Sequence, residues 1–210
     1  MRTSIWLVRH GQTELNKAHR YQSATDSPLT LYGRQQAATL ARRLRRMPWT
    51  LAVVGPSERT RATAMIILAG REVPVVEDAR WNETNHGRWE GMTFREVRAR
   101  FPAEAAARFS DPLGGRAAGG ESLAEVTARV AEGWRALLRE HAGERILLVT
   151  HATPIQLMLC MVTGQPPTQH WTWRVDLGSV TALDAYGSSV IVRVVNEVPR
   201  FVEGTADECR

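Results

Sequence analysis

The sequence predicts an α/β fold: a three-layer α/β/α sandwich with a mostly parallel central sheet and a small helical cap insert. Three observations lead there. Short apolar runs bounded by polar turns recur along the chain, longer segments of helical period lie between them, and several of the runs are nearly continuous. Continuous rather than alternating runs are what strands covered on both faces require. At 210 residues the chain suits a single domain, 1–210, with an insert at roughly 80–120, and can bury a sizeable core.

Ile5 to Val8 is the first strand, and Ala37, Leu40, Ala41, Leu44 and Met47 recur at helical spacing within a helix of about Leu31 to Met47. Leu51 to Val54 is a second strand, Arg59 to Ala69 a helix, and Val73 to Val76 a third strand. Thr93 to Phe109 reads as one helix, opened by the capping box Thr93-x-x-Glu96. Leu123 to His141 comes after a second box, Ser122-x-x-Glu125, in which hydroxyl and carboxylate satisfy otherwise orphaned N–H groups. Between them, Asp111 to Gly120 holds four glycines and a proline and is expected to be a flexible loop. Ile146 to Val149 is a fourth strand, a helix begins near Pro154 and runs to Val162, and Val180 to Leu183 and Val190 to Val195 close the sheet.

The formal charge is +5 and Lys17 is the only lysine. The densest basic stretch, Arg42, Arg43, Arg45 and Arg46, falls on a helix whose other face is apolar, so it reads as a solvated surface; no interleaved aromatics accompany it, and nucleic acid is not an expected partner. Cys160 and Cys209 are too few for a disulfide framework or a CxxC metal knuckle. The apolar run near the amino end is too short for a signal peptide, and no run of about 18 apolar residues exists, so the cytoplasm is expected and a membrane is not.

In open α/β sheets ligands bind beyond the carboxyl ends of the strands, so the residues just past each strand matter most. The first strand delivers Arg9-His10-Gly11, the second Gly55-Pro56-Ser57-Glu58-Arg59, and the fourth Thr150-His151-Ala152-Thr153-Pro154. Two imidazoles and two guanidiniums would converge there beside a helix N-terminus. Arginine forks and exposed N–H groups neutralise a phosphoryl group without a metal. No HExxH or cysteine-rich spacing is present, and two arginines aimed at the pocket would repel a dication, so neither a metal nor any other cofactor is expected.

Arg9-His10-Gly11-Gln12-Thr13-Glu14 with Asn16 resembles the nucleophile motif of the histidine phosphatase (phosphoglycerate mutase-like) superfamily, and the resemblance spans nearly the whole chain. Asp26-Ser27-Pro28-Leu29-Thr30, Arg59-Thr60-Arg61-Ala62-Thr63-Ala64, Glu83 with Gly87-Arg88-Trp89-Glu90-Gly91, Gly119-Gly120-Glu121-Ser122 and Val149-Thr150-His151 match its later blocks in order. The resemblance implies that His10 attacks phosphorus and carries it covalently, that Arg9, Arg59 and His151 hold the phosphoryl oxygens with help from Asn16, and that Glu83 is the general acid and base. It also implies substrate or phosphate contacts for Gln22, His86 and Ala152. His10 should be kept neutral by the neighbouring cations.

Arg61 competes with Arg59 as the second phosphate arginine, and Glu90 competes with Glu83 as the acid. Trp171 and Trp173 are open between packing and substrate contact. Gly55, Ser57 and Ala152 replace the serine, leucine and glycine common in the family, and none removes a reacting side chain. Glu83-Thr84-Asn85-His86-Gly87, His151-x-x-Pro154, Cys160, Trp171-Thr172-Trp173 and Ser179 look similar to metal-independent phosphoserine phosphatases, whose framework the α-ribazole-5′-phosphate phosphatases share. The expected substrate is a small phosphomonoester, phosphoserine ahead of α-ribazole 5′-phosphate. Phosphoglycerate mutase-type transfer is the alternative, a non-catalytic phosphate-binding regulatory module is the alternative of another class, and a homodimer is left open.

Overall fold

The computed structural model describes residues 1–200, so Cys209 lies outside the described residues. Four parallel strands, in the order β3 (Val75–Glu77), β2 (Leu51–Val54), β4 (Arg145–Thr150), β1 (Thr3–Arg9), are continued by antiparallel β5 (Val180–Tyr186) and β6 (Ser189–Glu197). The helices in chain order are α1 (Glu14–Lys17), α2 (Leu31–Leu44), α3 (Glu58–Ile67), α4 (Phe94–Arg100), α5 (Pro102–Ser110), α6 (Leu123–Glu140) and α7 (Ala152–Thr163).

Strand periodicity sorts the core into two layers. Ile5 and Leu7 of β1, with Leu51, Val53, Ile146 and Leu148, face Val126, Val130 and Leu137 of α6 and Ile155 and Leu159 of α7. Trp6 and Val8, with Ala52, Val54, Leu147 and Val149, face Leu40 and Leu44 of α2 and Ala64 and Ile67 of α3. Helices cover both faces, and the predicted three-layer sandwich is the observed one. The basic run projects from the outer side of α2 and the turn after it: Arg43 pairs with Glu197 and lies 5.8 Å over the Trp6 ring. No helix among the described residues is long and apolar enough to cross a membrane.

Two elements differ from the sequence expectation. The helix expected over Thr93 to Phe109 is two helices, because Pro102 disfavours helical backbone at Phe101 (φ −133°, ψ 55°) and opens a second helix at its own N1 position. The third strand begins only after Pro74, which has no N–H for the ladder, although its carbonyl accepts the Ala52 N–H at 2.8 Å. The glycine-rich stretch is a loop, as expected, and begins with a turn in which Asp111 receives the Gly115 N–H on its carbonyl at 2.8 Å and the Gly114 N–H on its carboxylate at 2.9 Å. Between η-type turns at Ala79–Trp81 and Gly87–Trp89 and the start of α6, the insert gathers its own small core of Trp89, Val97, Ala105 and Ala117.

The loop leaving β1 is closely packed on the start of α2. A Cβ at Gly33 would meet the backbone of Gln12, and one at Gly11 would meet the carbonyl of Gly33. Neither backbone can yield as a flexible side chain would. Gly33→Ala should therefore lower the unfolding free energy by about 1–3 kcal/mol, the usual cost of overpacking, read as a lower denaturant midpoint at unchanged m-value.

Candidate active site

β1 and β4 are neighbours, and the ladder between them continues one residue past the strand, where the His10 N–H donates to the Thr150 carbonyl at 3.1 Å. That pairing sets His10 beside His151. Their ring centroids lie 5.1 Å apart at 67°, and both residues are buried. His10 Nδ1 lies 2.8 Å from the Gly11 carbonyl oxygen, which can only accept, so Nδ1 carries the proton and Nε2 keeps its lone pair. His151 stands at the N-cap position of α7 but caps nothing, and both its ring nitrogens are buried without a partner.

Arg59 projects from the first turn of α3, whose N-cap is Ser57, the residue that replaces the family's usual leucine. Its guanidinium is 1% exposed; Nη1 donates to Asp26 Oδ1 at 3.1 Å and Nη2 to the Ser23 carbonyl at 3.0 Å, leaving Nε unpartnered. Arg9 is held likewise, with Nη1 on the Val175 carbonyl at 2.7 Å and a buried, unpartnered Nε. Gln22 accepts from the Thr13 hydroxyl at 2.7 Å and is left with an unpartnered buried Nε2. Such orphans are rare in folded proteins. Two of them, on Arg9 and Arg59, belong to guanidiniums whose charges act on His10. A Cβ at Gly55 would approach His151 Nε2 to 3.2 Å, so the glycine standing for the family's serine leaves that nitrogen clear.

Glu83 Oε2 accepts the Ala152 N–H at 3.2 Å, at the N-terminus of α7, and Oε1 accepts the Thr84 N–H at 3.0 Å. The main chain carrying Glu83 is gripped by Arg129 of α6, which donates to the carbonyls of Arg80, Asn82 and Glu83 at 2.8–3.0 Å while paired with Glu121 at 2.7 Å. Glu83 also lines a cavity of about 330 Å³ with Ser23, Asp26, Ser57, Asn82 and Asn85. The grip of Arg129 has no sequence signal, since it joins residues 46 apart in sequence through main-chain carbonyls.

The remaining expected residues occupy distinct places. Asn16 Oδ1 receives the Thr13 N–H at 3.1 Å and completes a capping box on α1, a helix the periodicity did not reveal. The His86 ring lies 4.7 Å from that of Tyr21, tilted by 51°. Arg61 faces away and is paired with Glu77 at the surface. Glu90 accepts the N–H groups of Ser23 and Thr25 at 3.0 and 3.1 Å, together with the Ser23 hydroxyl, and so shapes the loop that contacts Arg59. Burial alone would raise its pKa; the hydrogen bonds from Ser23 and Thr25 outweigh that and hold it below the usual carboxylate range. Trp173 packs against the core, whereas Trp171 is exposed.

Burial pushes the His10 pKa well below the ordinary histidine value, and the charges of Arg59 and Arg9 push it further. His151 is lowered in the same way, by burial first and then by His10, Arg59 and Arg9. Both rings are neutral near pH 7. The sequence assigned this neutrality to the cations; desolvation is the larger cause. The arrangement thus offers a nucleophilic nitrogen, a set of cationic and neutral donors for an anion, and a carboxyl group beside them.

Known proteins share this arrangement of sequence and fold. The family model of the histidine phosphatase superfamily (branch 1) matches residues 5–198. Phosphoserine phosphatase 1 of Hydrogenobacter thermophilus is 31% identical over 84% of this chain and 84% of its own length. The adenosylcobalamin/α-ribazole phosphatase of Salmonella typhimurium is 31% identical over 91% of this chain and 95% of its own. The crystal structure of the α-ribazole phosphatase of Shigella flexneri superposes with a TM-score of 0.89 at 29% identity, covering 97% of this chain and all of that one (100%).

The depressed histidines carry a stability signature. Below about pH 6.5 the unfolded chain binds protons that buried His10 and His151 refuse, so stability falls as pH drops from there towards their native values. Unfolding free energies measured from pH 7 to 5 should decline, and the decline should be shallower in His151→Gln. An identical slope in that variant would show that His151 shares its unfolded-state affinity for protons.

Proposed function

Because the chain belongs to the histidine phosphatase superfamily, we propose that it is a phosphomonoester hydrolase working through a phosphohistidine at His10, without a metal. One observation carries the reading: buried nitrogens of Arg9, Arg59 and His151 are left without partners, His151 lies beside His10, the two arginine charges act on His10, and His10 is neutral with its Nε2 lone pair free. Nε2 bonds to phosphorus as the ester P–O bond breaks, and Glu83 gives its proton to the departing oxygen. Water then bonds to phosphorus as the P–N bond breaks, its proton going to Glu83, and His10 is restored as inorganic phosphate leaves.

Arg9, Arg59 and His151 hold the phosphoryl oxygens, and their charge matters most as the bonds to phosphorus loosen. Asn16, Gln22 and the N–H of Ala152 complete the pocket, and His86 flanks the leaving group. The substrate is a small phosphorylated metabolite; phosphoserine and α-ribazole stand in the names of relatives.

Purified protein in EDTA should release phosphate from p-nitrophenyl phosphate, and an acid-labile, alkali-stable phosphoryl group should be trapped on His10 and be absent in His10→Ala. Release of phosphate at an unchanged rate by His10→Ala would remove the mechanism. No release by the folded native chain would favour a phosphate-binding regulatory module. With 3-phosphoglycerate and catalytic 2,3-bisphosphoglycerate the product should be free phosphate; 2-phosphoglycerate instead would make it a mutase.

Arg59→Ala should lower kcat/KM by about 2–5 kcal/mol of transition-state stabilisation, as for a truncated buried charge contact. Arg61→Ala, at the surface, should change kcat/KM by no more than about twofold, in line with the small worth of exposed pairs.

A further inference from the structure

Glu83 stands on a stretch, residues 82–86, that belongs to no helix or strand. Its main chain is held mainly by groups from other elements. Arg129 of α6 takes three carbonyls: Nη1 donates to Arg80 at 3.0 Å and to Asn82 at 2.8 Å, and Nη2 donates to Glu83 at 3.0 Å. Glu121 holds the far side, its carboxylate accepting the Asn85 N–H at 2.8 Å and its own N–H donating to the Asn85 carbonyl at 2.8 Å. Thr150, at the end of β4, donates its hydroxyl to the Trp81 carbonyl at 2.5 Å.

These contacts form one device. Arg129 and Glu121 are joined twice, Nε to Oε1 at 2.7 Å and Nη2 to Oε2 at 2.9 Å, a bidentate fork that fixes the plane of the guanidinium. Their charges cancel, so what the pair contributes beside Glu83 is position. α6 comes this close because residue 133 is glycine: a Cβ there would meet the Trp81 ring at 2.9 Å.

We propose that Arg129, clamped by Glu121, is the positioning residue of the general acid: it sets where the Glu83 carboxyl stands relative to the bridging oxygen, and it acts on the reaction only through Glu83. The inference rests on the phosphatase reading above and deepens it. As the ester P–O bond breaks, its electron pair stays on the bridging oxygen and takes the Glu83 proton. That transfer needs heavy atoms about 2.6–3.2 Å apart, and a displacement of about 1 Å can cost about a hundredfold in rate. An oxygen that is a weak base leaves without the proton and is indifferent to such a displacement. Lysine, with a single nitrogen, cannot reproduce a fork that reaches three carbonyls and a carboxylate at once.

p-Nitrophenyl and phenyl phosphate share a ring and differ in the basicity of the leaving oxygen, and kcat/KM for each reports formation of the phosphohistidine. In Arg129→Met the ratio of the two values, nitrophenyl over phenyl, should rise about tenfold or more above that of the native enzyme, and Arg129→Lys should keep most of that rise. Glu83→Gln should raise the ratio as well, and adding Arg129→Met to it should raise it no further, because the two residues act as a unit. An unchanged ratio in Arg129→Met, a native ratio restored by lysine, or a further rise in the double variant would each overturn the proposal. Should Arg129→Met fail to fold, Glu121→Gln is judged by the same ratio, since it keeps the shape of the side chain and replaces one acceptor oxygen of the fork by an amide N–H group.

If the native chain hydrolyses neither ester, the catalytic reading fails separately. The clamp is then judged by amide hydrogen exchange at Thr84 and Ala152, whose N–H groups donate to the Glu83 carboxylate. Exchange about tenfold faster in the variant supports it, and unchanged exchange overturns it.

Discussion

Positive charge that the protein itself does not fully neutralise is buried at the edge of the sheet, and the rest of the site is arranged around that constraint. Taking an ion out of water costs several kcal/mol even after relaxation. Arg59 recovers part of this through Asp26 and the Ser23 carbonyl, and Arg9 through the Val175 carbonyl, but each keeps an Nε without a partner. The partial satisfaction fixes the direction of each guanidinium. What remains unsatisfied is a standing preference for an anion, offered through donors that need no reorganisation.

The same burial decides the protonation of His10. A protonated His10 would have no lone pair to offer, and two guanidiniums nearby would repel a third cation. Since desolvation is the largest cause of the depressed pKa, neutrality does not depend on either arginine alone. The Gly11 carbonyl works in the opposite direction, favouring the charged ring, yet it selects the tautomer that leaves Nε2 free. A modest electrostatic loss therefore sets which ring nitrogen keeps the lone pair.

Much of this was legible in the sequence because it is a property of strand ends. Continuous apolar runs located the strands to within a few residues, and the rule that ligands sit beyond parallel strands selected Arg9, His10, Arg59 and His151 before any fold was known. Phe101 and Pro102 show the limit of periodicity: the apolar spacing persists across a break that only the proline imposes. Arg129 and Glu90 were out of reach for another reason. They act on main-chain groups far away in sequence, and a carbonyl or N–H leaves no trace in residue identity. From the sequence Glu90 competes with Glu83 as the acid, because nothing in residue identity shows that its carboxylate holds the N–H groups of Ser23 and Thr25.

The insert has its own small core, separate from the two layers that sandwich the sheet, but it is not mechanically independent of the chemistry. Glu104 of α5 accepts from Trp89 Nε1 at 3.1 Å and pairs with Arg88, in the turn that ends at Glu90. Glu90 holds the Ser23 loop, and the Ser23 carbonyl holds Arg59. α5 is thus linked to the Arg59 guanidinium by side-chain contacts joined through two short stretches of main chain, Arg88 to Glu90 and the Ser23 loop. Because Arg59 is fully buried, a displacement of α5 passed along that path would reach a side chain with little room to absorb it, so the insert and the edge of the sheet are packed as one unit rather than two.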